Sequence, residues 1–399
     1  MTGDVSSDER DRSAMRRALE LAARGLETTH PNPRVGCVVV KDGRTLGEGW
    51  HERAGEPHAE IVALRAARAA ARKSGAAEAG AADAVRGATA YVTLEPCSHQ
   101  GRTPPCANAL IEAGIARVVF ALQDPDPRVS GQGAQLLRRA GVRVDWGLLA
   151  TEAAELNAGF IRRMTAGRPW VRVKLAQSLD GRTALASGAS RWITGEEARR
   201  DVQRWRARSS AVLTGIGTVL ADDPRLDVRE TVYAGELAAT GARVRQPYRI
   251  VLDSALRTPP GAHLFDAPGE VWIFTRSDDD ARRKALEARG ARVERVPDAE
   301  QATGVDLRWV LAFLAGAEMN EVHVEAGPTL AGALIRERLA DELLLYLAPT
   351  LLGPQARALV ALPELVELSS APRFEIVQTQ RVGADLSVRL RLRAPAGAP

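Results

Sequence analysis

Apolar residues recur along this chain at two different spacings, and the alternation between them outlines its architecture. Residues 12–27 place Met15, Leu19, Ala22 and Ala23 at helical intervals. The stretch "VGCVVVKDGRTLGEGW" reads as two strands joined at Asp42-Gly43, a dipeptide suited to a tight hairpin turn. A helix is predicted after Pro57 in "PHAEIVALRAARAAARK". "TAYVTLE" and "ARVVFAL" read as strands, with "CANALIEAG" between them as a helix closed by Gly114. "GQGAQLLRRAG" and "VRVDWGLL" add a helix and a strand. Strands alternating with helices predict an α/β layer. Residues 72–88 are rich in Ala and Gly and lack an apolar stripe, so a surface insertion remote from any chemistry is expected.

A second series of elements starts near residue 170 with the strand "WVRVKLA". "TGEEARRDVQRWRAR" reads as a helix opened by a capping box of Thr194 and Glu197. "AVLTGI", "YRIVLDS", "EVWIFT" and "EVHVEAG" read as strands, with helices near 278–289 and 328–339. "ELLLYLAP" and "LSVRLRLRA" suggest an antiparallel finish. The predicted organisation is one domain over 1–150, a linker over 151–168 and a second domain over 169–399. A chain of 399 residues is long enough for two cores. No repeat of 20–50 residues is visible.

Composition narrows the class. With 54 basic and 50 acidic residues the charge is too balanced for a polyanion partner, so no nucleic acid is expected, though small phosphorylated ligands stay open. No apolar run approaches the ~20 residues that cross a membrane, and the N-terminal stretch lacks the apolar centre of a secretory signal. Three cysteines argue against a disulfide framework and for a reducing, cytoplasmic setting, where clustered cysteines more often bind metal.

Two of those cysteines lie in "TLEPCSHQGRTPPC". Cys97 and Cys106 with His58 of "PHAE" would give a metal three protein ligands and leave a fourth position for water, as catalytic zinc requires. Glu60, two residues beyond His58, could take a proton from that water and pass it to a leaving nitrogen. This is the zinc deaminase pattern of H-x-E followed by P-C and a second cysteine. A lone H-x-E is common by chance; the joint arrangement of strand, P-C, loop, P-C and helix is specific. The helix opening at Cys106 would aim its N-terminal dipole at the thiolates. A purely structural zinc with His99 as fourth ligand remains an alternative. His30, His51 and Cys37 are expected to be packing or loop residues.

The second half carries "TGIGTVLADDP", an incomplete dinucleotide fingerprint with Leu220 in place of the third glycine. In "VEAGPTLAGAL" a strand runs through a glycine straight into a helix, a turn whose N–H groups can hold phosphate. An ordinary tight turn explains it equally well.

"NPRVGCVVVKDG", "GEGWHERAGEPHAE", "AYVTLEPCSHQGRTPPC" and "QDPDP" resemble the deaminase half of the bifunctional deaminase/reductase of riboflavin biosynthesis, whose eight-residue cysteine gap sets it apart from cytidine and tRNA-adenosine deaminases. "KLAQSLDGRTALASGASRWIT", "RRDVQRWRA", "VLTGIGTVLADDPRL", "VLDS" and "VEAGPTLAGALI" resemble its reductase half. The resemblance covers about residues 12 to 395. It implies an α/β fold class, with an N-terminal cytidine-deaminase-like α/β/α domain and a C-terminal dihydrofolate-reductase-like α/β domain.

It further implies zinc (Zn2+) on His58, Cys97 and Cys106, with Glu60 as proton shuttle and Asn32 and the "HQGRTPP" loop around the pyrimidine. In the second half it implies NADPH at Ala176, Trp192, Thr218, Asp222, Ser254 and Gly327, with Lys174 and Asp180 nearby. Ser190, Arg206, Leu226, Arg229 and Glu325 would face substrate. Arg206 and Arg229 suit a phosphate dianion, and Lys174 and Asp222 are candidates to protonate the sugar oxygen. The implied substrate is a phosphorylated pyrimidine, deaminated first and reduced second, and a homo-oligomer is expected. A nucleic-acid deaminase with an added module, or a non-enzymatic zinc protein, would be the competing classes. The cysteine gap speaks against the first and Glu60 against the second.

Overall fold

The computed structural model describes residues 7–75, 77–98, 105–127, 129–233, 244–298 and 304–393. Its contacts divide into two units, Met1–Ala166 and Gly167–Pro399.

In the first unit, strands β1 (Gly36–Lys41), β2 (Arg44–Trp50), β3 (Thr89–Leu94), β4 (Arg117–Leu122) and β5 (Arg143–Trp146) form one sheet in the order β2-β1-β3-β4-β5. β1 pairs antiparallel with β2 and β3, whereas β3, β4 and β5 run parallel. The β1–β2 turn has positive φ at both Asp42 (50°) and Gly43 (74°), as a two-residue hairpin of this twist requires. Helices α1 (Ser7–Ala23), α2 (Ala59–Lys73), α3 (Glu78–Asp83), α4 (Cys106–Glu112) and α5 (Gln132–Arg139) cover the sheet with α6 (Ala150–Leu156) and α7 (Ala158–Ala166). Alternation along β1 sorts the core. Val38 faces Met15, Leu19 and Ala153, while Cys37 and Val39 face Ala63, Leu64 and Leu110 on the other side.

α1 and α2 lie unusually close to the sheet. A Cβ on Gly36 would sit 1.9 Å from Ala18 O, and one on Gly47 would sit 2.2 Å from Ala63 O. These glycines let helix backbone touch strand backbone, and so fix where α2 begins.

Two expectations change here. The 72–88 stretch is not a bare surface insertion, because α3 sits within it and Ala81, Val85 and Ala88 are buried. Small side chains pack a helix tightly without an obvious apolar stripe. The expected linker, 151–168, holds most of α6 and all of α7, with Ala153 and Phe160 buried.

The second unit holds a nine-stranded sheet in the order β11-β10-β9-β8-β12-β6-β13-β16-β15. Its strands are β6 (Trp170–Gln177), β8 (Ala211–Gly215), β9 (Tyr248–Leu252), β10 (Val271–Thr275), β11 (Ala291–Arg295), β12 (Glu321–Glu325), β13 (Glu342–Leu347), β15 (Phe374–Val382) and β16 (Asp385–Leu392); β7 (Arg182–Ala184) and β14 (Arg357–Ala358) pair separately. The strands from β11 to β13 are parallel, and β16 and β15 close one side antiparallel. Helices α8 (Glu196–Arg208), α9 (Ile216–Asp222), α10 (Asp280–Glu287), α11 (Leu307–Gly316) and α12 (Pro328–Arg336) accompany them. Val251 and Ile273 face one apolar layer; Ile250, Leu252, Trp272 and Phe274 face the other.

The Thr194–Glu197 capping box does not form. α8 is capped by Gly195, whose N–H donates to Asp385 Oδ2 at 2.7 Å, so a side chain from β16 takes the capping role. Beneath α8 lies a buried ion network that apolar periodicity does not reveal. Arg172 pairs with Glu321 (3.0 Å) and Glu342 (2.6 Å), Arg208 with Glu321 and Arg389 with Glu342. Trp205 packs against all three guanidiniums. Among the described residues, no helix is long and apolar enough to cross a membrane.

Candidate active sites

The first site forms where α2 begins. His58 is the N-cap of α2 in an extended conformation, which presents its ring at the helix start and puts Glu60, fully buried, in the first turn. β3 runs out through Glu95-Pro96 to Cys97, and Cys106 opens α4. His58 Nδ1 lies 3.2 Å from Cys106 Sγ and 3.7 Å from Cys97 Sγ. The candidate ligand atoms of all three residues lie within 4.8 Å of one another. Tetrahedral zinc with bonds of about 2.0–2.3 Å keeps its ligand atoms roughly 3.5 Å apart, so two thiols and an imidazole here fit that ion in donor type and spacing.

Charge is arranged to match. The backbone N–H of Cys106, at the start of α4, donates to Cys97 Sγ at 3.3 Å. The Cys106 thiol, then His58, hold the Cys97 thiol down to about 4, and the same shared hydrogen bond pushes Cys106 up. The hydrogen bond to Cys97 raises His58. Burial first, and the nearby Cys97 thiolate second, push Glu60 up to about 7. A carboxyl so poised can both accept and return a proton near neutrality.

His51 lies outside this ligand cluster and braces it. Burial lowers its pKa, so the neutral ring donates from Nδ1 to Pro57 O (3.3 Å) and accepts at Nε2 from Asn32 Nδ2 (3.0 Å). Its ring meets His58 edge-on at 5.2 Å. Asn32 is thus held beside the site. Cys37 is a free thiol in the core. His99 and the rest of the "HQGRTPP" loop up to Pro104 lie outside the described residues.

Sequence reasoning missed Glu95. Its buried carboxylate accepts from Ala134 N at 3.0 Å, Gly131 N at 2.9 Å and Asp124 N at 3.2 Å, and so ties the "QDPDP" loop and the start of α5 to the segment before Cys97. The one signal was a glutamate two residues before Cys97; its partners are 29 to 39 positions away.

The second site gathers at the carboxyl ends of neighbouring parallel strands, where α/β sheets commonly bind ligands. Lys174 and Ala176 come from β6, Glu325 from β12, Thr214 from β8, and Ser254 follows β9. Glu325 and Lys174 are register partners. Glu325 accepts from Arg206 Nε (2.5 Å) and Nη2 (2.9 Å), and Thr214 Oγ1 donates to its carbonyl at 2.6 Å. Arg206 and its fellow cations hold Glu325 well below the usual carboxylate range despite burial. Lys174, whose ammonium makes no ion pair among the described residues, is lowered by burial. The Gly327 turn leads directly into α12 with Pro328 at its first position.

Two family profiles match the chain. "Cytidine and deoxycytidylate deaminase zinc-binding region" covers residues 8–122, and "RibD C-terminal domain" covers residues 169–388. Riboflavin biosynthesis protein RibD of Escherichia coli is 49% identical over 95% of this chain and 99% of its own length. The chain belongs to the RibD family. The Haemophilus influenzae RibD is 45% identical over 94% of this chain and 95% of its own. Acinetobacter baumannii RibD superposes with a TM-score of 0.85 at 42% identity, covering 97% of this chain and all of that one. A Thermotoga maritima deaminase/reductase structure gives 0.81 at 33% identity, with 97% of this chain and 100% of that one covered. As a RibD protein the chain is an enzyme of riboflavin biosynthesis with a deaminase half and a reductase half.

The remaining RibD site expectations fall as follows. Arg206 does not stand free beside Arg229. It is engaged by Glu325 and by Asp227 O (2.8 Å), whereas the Arg229 side chain is exposed. Leu226 has its side chain buried and its backbone at φ 56°. Trp192 is 66% exposed and Ser190 half-buried. Thr218 and Asp222 lie on α9, and Asp222 O accepts from Arg191. Asp180 is taken up by Ser178 and by the N–H groups of Leu352 and Gly353, which join two loops.

Proposed function

We propose that the first unit hydrolyses the C2 amine of 2,5-diamino-6-(5-phosphoribosylamino)pyrimidin-4(3H)-one. The second unit then reduces the ribosyl chain of the resulting 5-amino-6-(5-phosphoribosylamino)uracil to ribityl with NADPH. The observation that carries this reading is the His58–Cys97–Cys106 cluster with Glu60 buried beside it. Those three residues would hold zinc, which when bound would supply an acidified water as nucleophile. Glu60 takes the proton from the attacking water and hands it to the departing nitrogen, so water and the aminopyrimidine become ammonia and the oxo ring. Asn32, fixed through His51, is suited to hold the ring.

In the second unit, NADPH is suited to the crevice at the strand ends, lined by Ala176, Trp192, Thr218, Asp222, Ser254 and Gly327. Open space at Gly217 and Gly327, where a Cβ would meet nothing within 4 Å, supports close approach of cofactor phosphates to backbone N–H groups. Bound NADPH supplies the hydride. Arg206 orients Glu325 toward the sugar, exposed Arg229 suits the substrate phosphate, and Ser190 and the Leu226 backbone line the remainder. Lys174 is the better-placed proton donor: it is the register partner of Glu325, whereas Asp222 is exposed on α9.

The test is turnover of the diamino substrate by zinc-loaded protein with and without NADPH. Ammonia release without NADPH, followed by NADPH oxidation once it is added, is expected. Glu60→Gln should keep its zinc and lose ammonia release by about 10²–10⁴-fold; a zinc-replete variant with full activity would remove the proton-shuttle role.

A further inference from the structure

The backbone that carries Asn32 is held from a place far along the chain. Asn32 lies in the loop between α1 and β1, and Arg34, two residues on, is buried there. The Arg34 N–H donates to Asn157 Oδ1 at 2.8 Å, and Asn157 Nδ2 donates back to Arg34 O at 2.9 Å. One side-chain amide thus pairs with both polar groups of a backbone position 123 residues away, as a neighbouring strand would. The pairing needs a donor and an acceptor on one planar group, which an amide side chain supplies and a carboxylate does not. The Arg34 guanidinium adds two bonds. Its Nη1 donates to Leu156 O at 2.7 Å and its Nη2 to Leu26 O at 3.1 Å. Leu156 O belongs to the last turn of α6, whose carbonyls lack helical partners and carry the negative end of the helix dipole.

Asn157 is itself fixed. It is 1% exposed and forms the joint between α6 and α7, where its N–H donates to Ala154 O and its carbonyl accepts from Ile161 N at 2.9 Å. On the other side of the loop, Asn32 Nδ2 meets His51 Nε2 at 3.0 Å, and the His51 N–H donates to Val35 O at 2.9 Å. Residues 32–35 are therefore gripped between His51 and Asn157. Loss of the Asn157 amide would leave a buried N–H and a buried C=O without partners, and the loop would have to shift to satisfy them. We infer that Asn157 is a positioning residue for deamination, which holds, through the Arg34 backbone, the loop that sets Asn32 beside the first site. This role rests on the reading of Asn32 as the residue that holds the pyrimidine ring. It draws the α6–α7 joint, outside the 8–122 stretch matched by the zinc-binding profile, into the support of the deaminase pocket.

Steady-state ammonia release from the diamino substrate by zinc-replete, full-length variants tests this. Asn32→Ala should raise KM by about tenfold or more and change kcat less, because it removes a binding contact. Asn157→Ala should raise KM to a similar extent while its zinc content stays that of the wild type. In a protein already carrying Asn32→Ala, adding Asn157→Ala should change KM by less than about twofold, since both act on one contact. Asn157→Asp keeps the acceptor for the Arg34 N–H and loses the donor to Arg34 O. It should give an intermediate KM, and it answers the question if the alanine variant does not fold. A wild-type KM in both Asn157 variants would overturn the inference, as would a rise undiminished in the Asn32→Ala background. An unchanged KM in Asn32→Ala alone would remove the role of Asn32 and, with it, the one assigned to Asn157.

Discussion

Glu60 and His323 are both buried titratable side chains, and their neighbours move them in opposite senses. Burial and a thiolate raise Glu60 toward neutrality, where proton exchange is easiest. His323 on β12 is fully buried, its ring nitrogens lack hydrogen-bond partners, and burial with the cations Arg172, Arg206 and Lys174 around it lowers it to about 3. The ring is therefore neutral, and its 3.6 Å approach to Glu325 is no ion pair. As pH falls below the ordinary value of 6.5, the unfolded chain gains this proton first. The stability the neutral ring contributes is complete above that value and is lost progressively down to the folded pKa, by about 1.4 kcal/mol per pH unit. His323→Phe should accordingly flatten the fall in denaturation midpoint of the reductase half as pH drops below 6.5; an equal slope in both proteins would refute the assignment. The gathering of His58, Cys97 and Cys106 with Glu60 close by was legible in sequence, because residue type and spacing pointed to it. His323 and Glu95 were not, because what each does depends on side chains and N–H groups far away in the chain.

Among elements, α5 and the segment before Cys97 are joined backbone to backbone. A Cβ on Gly133 would lie 1.9 Å from Pro96 O, a backbone atom next to Cys97. Gly133→Ala should destabilise the deaminase half by about 1–3 kcal/mol in chemical denaturation and weaken zinc retention, with reduction of the deaminated substrate unchanged; intact zinc retention would show that the contact can relax. The β1–β2 hairpin, the helix after Pro57 and the parallel strands were legible because local turn chemistry and apolar period agree there. β15 was missed since a strand exposed on both faces carries no period-two signal. The start of α8 was misread because Asp385, nearly two hundred residues downstream, supplies its cap. α3 and α6 hid because alanine fills their buried positions.

At the scale of the molecule, the two halves own separate sheets and separate apolar layers, so damage to one chemistry should leave the other intact. Glu60→Gln and Lys174→Met proteins should each fail to consume NADPH or complete the sequence from the diamino substrate alone, yet a mixture of the two should oxidise NADPH. A mixture as inactive as its parts would mean that the intermediate never leaves its own chain. The two-part layout was legible from the restart of strand and helix alternation near residue 170; the exposed edge depends on sheet order, which no local pattern encodes. The backbone-on-backbone seating of α1 and α2 has a consequence for how the gene tolerates change. In a library of every substitution, Gly36 and Gly47 should be depleted equally by a screen for soluble abundance and a screen for riboflavin-dependent growth, because any Cβ there strikes a helix carbonyl or amide. Gly217 and Gly327, with open space around them, should pass the first screen and fail the second, so the disagreement between the two screens would separate the glycines that build this protein from those that leave room for what it binds.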